Sequence, residues 1–191
     1  MAADDVPITC KLIDAQAAGR LLGGSLGRPQ FENIVVCAGW CPGQVQPACT
    51  FALADAPRGG ATKVVIGLAL SPFGERDLRQ ALYVVWSYGT PPGDIRKLPW
   101  PQGSALWFFQ NSDIASIDVF LGPPSNLCAD LSIRLIGVTN RERARALIEQ
   151  LMRPAVARLA RATRDELVLP GWVKHKAIDR QSLCVNRFRT E

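Results

Sequence analysis

Apolar residues recur along the chain at two spacings, one typical of helices and one typical of strands. Helical spacing predicts helices at residues 15–22 and 75–86 and a long helix that begins near residue 139. Alternation or short apolar runs predict strands at residues 49–54, 62–71, 105–110, 116–121 and 129–136. Short turns join successive strands, so we expect an α+β fold: a mostly antiparallel sheet of about five strands with helices packed on one face.

The ends of two predicted helices carry recognisable capping residues. Asp14 precedes the first helix and Gly23 follows it. The stretch from Thr139 to Glu142 is a capping box that opens the long helix, and Pro154 is expected to kink or restart that helix. Residues 25–48 and 87–103 are rich in glycine and proline and are expected to be loops, apart from a short strand at residues 34–36.

Length and charge predict one domain and a separate tail. A chain of 191 residues in which 48% are hydrophobic can fill a single core, which we place at residues 1–169. Residues 1–152 carry equal numbers of acidic and basic side chains, so the net charge of +5 falls in the last fifth of the chain. The tail at residues 170–191 can therefore meet an acidic partner. It has few interleaved aromatic residues, so nucleic acid is not expected as a ligand, and no apolar stretch is long enough for a transmembrane segment.

Six cysteines are unusual for a reduced compartment, and they favour an exported protein with disulfides. The predicted disulfide cysteines can pair in fifteen ways, which spacing alone leaves open; they are Cys10, Cys37, Cys41, Cys49, Cys128 and Cys184. Two alternatives use the closely spaced Cys37 and Cys41, either as ligands of copper or zinc or as a redox dithiol. A second metal-binding pair is missing from the sequence, so we expect no metal or other cofactor.

Catalytic motifs are scarce. The single histidine, His175, excludes mechanisms that need two, and the sequence lacks the G-x-S-x-G motif of a serine nucleophile. Asp113 and Asp118 fall in a predicted turn and strand, with no sign that they are neighbours. We therefore expect a protein that is not an enzyme, although an enzyme using Asp or Ser residues that cannot be placed stays an alternative.

Aromatic residues concentrate between positions 86 and 109. In the run from Trp107 to Phe109 consecutive side chains point to opposite faces of a strand, so some aromatic surface is expected outside the core. Together with the cysteine-containing segment at residues 37–49, this region is the predicted surface for binding another protein. Its candidate contact residues are Trp40, Trp86, Tyr88, Trp100, Trp107 and Phe109.

The opening of the chain resembles a broad group of exported bacterial proteins and lipoproteins. The resemblance lies in CKLIDAQAAGRLLGG, which begins at Cys10, and in CTF, which begins at Cys49. The helical stretch NRERARALIE from Asn140 is similar as well. The resemblance implies a disulfide between Cys10 and Cys49 and a periplasmic or extracellular location.

These observations predict an exported, non-catalytic binding or accessory module that disulfides stabilise. An immunity-type inhibitor of an exported toxin or enzyme is an alternative, and it would bind its target tightly in a one-to-one complex. Metal handling or thiol redox chemistry at Cys37 and Cys41 is another.

Overall fold

A computed structural model describes residues 6–35, 45–70, 95–100, 103–110, 113–121 and 129–162. Three helices lie within these ranges: α1 (Ile8–Lys11), α2 (Ala15–Leu22) and α3 (Arg141–Leu159). The strands are β1 (Ser25–Leu26), β2 (Gln30–Val35), β3 (Val45–Ala54), β4 (Lys63–Leu70), β5 (Ile95–Trp100), β6 (Gly103–Gln110), β7 (Ile114–Leu121) and β8 (Ala129–Ile136). The expected helix at residues 75–86 and the tail at residues 170–191 lie outside the described residues.

The strands form one antiparallel sheet in the order β1-β3-β4-β8-β7-β6-β5, and β2 also pairs with β3. Every described pairing is antiparallel, so the expected α+β class is confirmed. Strands β4 and β8 meet in the middle of the sheet over their full length, from the pair Lys63 and Ile136 to the pair Leu70 and Ala129. Helix α3 packs on one face against β7 and β8.

The sheet is wider than expected because two predicted loops contain strands. Residues 25–26, 30–35 and 45–48 pair into β1, β2 and the start of β3, and residues 95–100 form β5. The short strand expected at residues 34–36 is the end of β2, which begins four residues earlier, at Gln30. The glycines and prolines that indicated loops are tolerated here because β1, β2 and β5 are edge strands of the described sheet. Pro99, for example, lies in β5, whose only described neighbour is β6, and a proline on such a strand removes no donor from the sheet interior.

The core lies between the sheet and the helices. Alternate residues of the central strands are fully buried on the helix side, including Ile66, Ile117 and Ile133. Helix α3 contributes Ile148 and Met152 to the same cluster. The buried alternate residues of the strands therefore pack against the buried stripe of α3, as the apolar pattern of the sequence predicts.

The helix caps agree with the sequence in one case and differ by one residue in the other. The Asp14 side chain accepts a hydrogen bond from the backbone N–H of Ala17 at 2.8 Å and caps α2. The cap of α3 is Asn140 instead of Thr139, because the Asn140 side chain accepts from the Arg143 N–H at 2.9 Å. Pro154 lies inside α3, which continues through it to Leu159.

Candidate functional site

A disulfide joins the first helix to the sheet. Cys10 in α1 and Cys49 in β3 are bonded, with their Cα atoms 5.1 Å apart, and they are 39 residues apart in sequence. Cys49 is fully buried and Cys10 packs against the same core cluster. This is the pair that the resemblance implied, and it fixes α1 on the helix side of the sheet. The other four predicted disulfide cysteines, Cys37, Cys41, Cys128 and Cys184, lie outside the described residues.

Trp100, a member of the predicted aromatic surface, lies on the edge strand of the described sheet. It ends β5, is half-buried, and packs partly against the core. The guanidinium of the exposed Arg153 lies 5.7 Å from the centre of the Trp100 ring, within the range of a cation–π interaction. The buried Nε1 of Trp100 has no hydrogen-bond partner among the described residues.

Trp107 is not a surface residue, which corrects the sequence prediction. Its side chain is 1% exposed and is among the largest buried side chains of the described residues. The physical reason is register: Trp107 pairs with Ile117 of β7, which points to the helix side, so Trp107 points there too. Phe109, two residues further, is half-buried and packs against the same core. Three other candidate contact residues, Trp40, Trp86 and Tyr88, lie outside the described residues.

A polar cluster lies on the sheet face opposite α3. Ser116 and Asp118 are two residues apart on β7, and the Ser116 hydroxyl donates a hydrogen bond to Asp118 Oδ1 at 3.0 Å. Ser116 is fully buried and Asp118 is half-buried. On the neighbouring strand β8, Ser132 lies opposite Asp118 and the exposed Arg134 lies opposite Ser116.

Burial raises the pKa of Asp118 from 3.8 to about 6. The positive charge of Arg134 and the hydrogen bond from Ser116 act in the opposite direction, and burial outweighs them. Asp118 can therefore hold or release a proton at a pH near 6, and Arg134 is the exposed member of the cluster.

Alternation along the two strands is the sequence signal for this cluster. Ser116 and Asp118 alternate with buried isoleucine and valine, as Ser132 and Arg134 do with isoleucine and leucine. Alternation places each pair on the face of its strand that is opposite the buried isoleucine, leucine and valine side chains. The register between β7 and β8, which brings the two pairs together, could not be obtained from alternation alone.

The described residues contain no group of three or more His, Cys, Asp or Glu side chains that could hold a metal ion. Cys37 and Cys41, on which the predicted metal and redox alternatives depend, lie outside the described residues.

Within the described ranges, none of the helices has both the length and the apolar character needed to cross a membrane. No protein-family model matches the chain, and no curated protein matches it significantly.

Proposed function

We propose that this chain is a non-catalytic binding module that works outside the cytoplasm, in the periplasm or at the cell surface. The observation that carries the proposal is the disulfide between Cys10 and Cys49, which lies in the core between α1 and β3. Disulfides of this kind persist in oxidising compartments and are rare where cellular thiols are kept reduced.

The edge of the sheet at Trp100 is the contact surface that we propose for a protein partner. Trp100 supplies a large, half-buried apolar ring, and Arg153 adds a planar cation on top of that ring. Tryptophan and arginine are the residue types that contribute most often to binding energy at protein interfaces. A partner that offers carboxylate or carbonyl oxygens beside an apolar residue would complement this pair.

The location is tested by the state of the thiols in protein taken from its natural cells. The protein is alkylated under denaturing conditions without reductant, and its peptides are analysed by mass spectrometry. We expect a linked pair of peptides that contain Cys10 and Cys49, with no alkylation at either position. Alkylation of both residues would overturn the proposal. Free thiols at Cys37 and Cys41 with bound copper or zinc would favour metal handling instead.

The contact surface is tested with a partner captured from extracts of exported proteins. Trp100→Ala should reduce its capture at least tenfold, because truncating a central aromatic contact commonly costs about 2 kcal/mol or more. Phe31→Ala is the matched control, since Phe31 lies on β2 at the opposite edge of the sheet and is already 39% exposed. Equal capture by both variants would exclude Trp100 from the interface.

A further inference from the structure

The helices expose an excess of positive charge. Within the described residues, α1, α2, α3 and the positions that flank them expose six basic side chains against two acidic ones, Asp14 and Glu142. The six basic residues are Lys11, Arg20, Arg143, Arg153, Arg158 and Arg161. We call the surface that these eight residues form the basic helical face; it carries a net excess of four positive charges.

Local ion pairing leaves this excess in place. The ion pair between Arg145 and Glu149, at 2.9 Å, joins two half-buried side chains of α3 and neutralises only those two. Asp14 caps α2, and the hydrogen bond from the Ala17 N–H lowers the pKa of its carboxyl group, so it stays charged as the main counter-charge on this face. Arg153 covers Trp100, a contact that leaves its positive charge uncompensated.

Contacts between the helices make this one continuous surface. Near one end of α3, Arg158 Nη1 donates a hydrogen bond to the Lys11 carbonyl at 3.0 Å, which ties α1 to α3. Near the other end, Leu22 of α2 lies beside Arg143 and Leu147 of α3 around a shallow depression. The 19 residues of α3 extend over about 28 Å at the usual helical rise, so the charges are spread along the surface instead of being gathered in a pocket.

Small and uncharged residues occupy the positions between these arginines. Gln150 and Ala157 follow Arg143 at steps of seven residues and therefore lie on the same outward line of α3; the exposed Arg161 follows just after the helix ends at Leu159. Ala146 is exposed beside them. The outward line thus starts at a cation, is followed by another just beyond the helix, and offers neither a large apolar side chain that could insert into a partner nor a deep groove.

We propose that the basic helical face docks the protein on an anionic phospholipid surface. A planar array of phosphate groups matches a low, extended surface on which several arginines are presented side by side, and guanidinium groups bind phosphate in bidentate geometry. A protein partner would be expected to meet a groove or an apolar anchor, and the outward line of α3 from Arg143 to Ala157 provides neither. The docking is peripheral and salt-sensitive, because it depends on charge without insertion.

The proposal goes beyond the function proposed above. Its test is vesicle binding, which depends neither on the thiol assay nor on partner capture at Trp100. The full-length, oxidised protein is sedimented with vesicles of phosphatidylcholine containing about 30% phosphatidylglycerol, and separately with pure phosphatidylcholine vesicles. A basic residue near an anionic membrane contributes roughly fivefold in affinity. Arg143→Gln/Arg161→Gln should therefore weaken binding to the anionic vesicles by about 25-fold, and about 0.5 M salt should abolish it.

The matched control is Lys63→Gln/Arg134→Gln, which removes the same charge from two exposed residues on the opposite face of the sheet. It should weaken binding less than threefold. Residues 163–191 carry six basic and four acidic side chains and are identical in all the proteins compared. Equal losses for the two variants would show that only net charge matters and would overturn the proposal. Failure to bind anionic vesicles would overturn it as well, and retention on immobilised polyglutamate in that case would assign the face to an acidic protein.

Discussion

Removal of the Cys10–Cys49 disulfide should destabilise the protein by an amount that its loop length sets. The bridge joins residues 39 positions apart, and the chain-entropy relation gives about 4 kcal/mol for a closed loop of that size. Cys10→Ala should therefore lower the free energy of unfolding by about 4 kcal/mol and the melting temperature by roughly 10 °C for a chain of this length.

The two single variants and the double variant distinguish the crosslink from ordinary packing. Either single substitution breaks the bridge, so Cys10→Ala/Cys49→Ala should cost little more than either variant alone. The remainder is the lost packing of the fully buried Cys49 sulfur, on the order of 1 kcal/mol. Two additive single effects would instead mean that the sulfur atoms stabilise the fold by packing.

The assay is equilibrium unfolding in guanidinium, followed by tryptophan fluorescence, with and without strong reductant. In reductant the wild type also lacks the bridge, and its stability should fall to within about 1 kcal/mol of Cys10→Ala. Any other disulfides are lost equally from both proteins. The reasoning is refuted if Cys10→Ala keeps wild-type stability under oxidising conditions, or if its deficit persists undiminished in reductant.

Three further predictions concern the core, the polar cluster and the cap of α3. Trp107→Ala should cost about 3–5 kcal/mol in chemical denaturation because it empties a buried site, whereas Phe31→Ala should cost less than about 1 kcal/mol; similar values would contradict the assignment of Trp107 to the core. The folded-state pKa of Asp118 is raised to about 6 from 3.8, so its contribution to stability is full below pH 3.8 and is lost as the pH rises to about 6. The free energy of unfolding of Asp118→Asn should not show this decrease. If wild type and Asp118→Asn differ in stability by the same amount at pH 4 and at pH 7, the raised pKa is excluded. Asn140→Ala should cost about 1 kcal/mol through the lost cap, whereas Gln150→Ala, on the exposed side of α3, should change stability by less than about 0.5 kcal/mol.

The elements that the sequence predicted share strong local signals. Helix α2 has Asp14 and Gly23 at its ends and occurs at its predicted residues. Strand β8 alternates apolar and polar residues and also matches its prediction. Strands β1 and β5 lack such signals, and β2 showed one only at Ile34 and Val35, because the pairing of these strands depends on hydrogen bonds from β3 and β6 and not on their own composition.

The candidate surfaces show the same division between local and long-range information. The run from Trp107 to Phe109 guaranteed that its side chains divide between the two faces, but only pairing with β7 determined that Trp107 belongs to the core. Similarly, the packing of α3 on one face of the sheet brings Arg153 over Trp100, although the two residues are far apart in sequence. Properties that depend on one element can be predicted from the sequence, whereas neighbours on separate elements require the topology.

The pairing of β4 with β8 has a consequence for the order of folding. The two central strands are separated in sequence by residues 71–128, which include β5, β6 and β7. The hairpin of β3 and β4 can form early, but its inner side has no permanent neighbour until β8 has been synthesised. Such non-local closure slows folding and leaves an unpaired strand exposed for longer. Until β8 has been synthesised, the inner edge of β4 therefore presents unpaired backbone groups to any other strand that it meets.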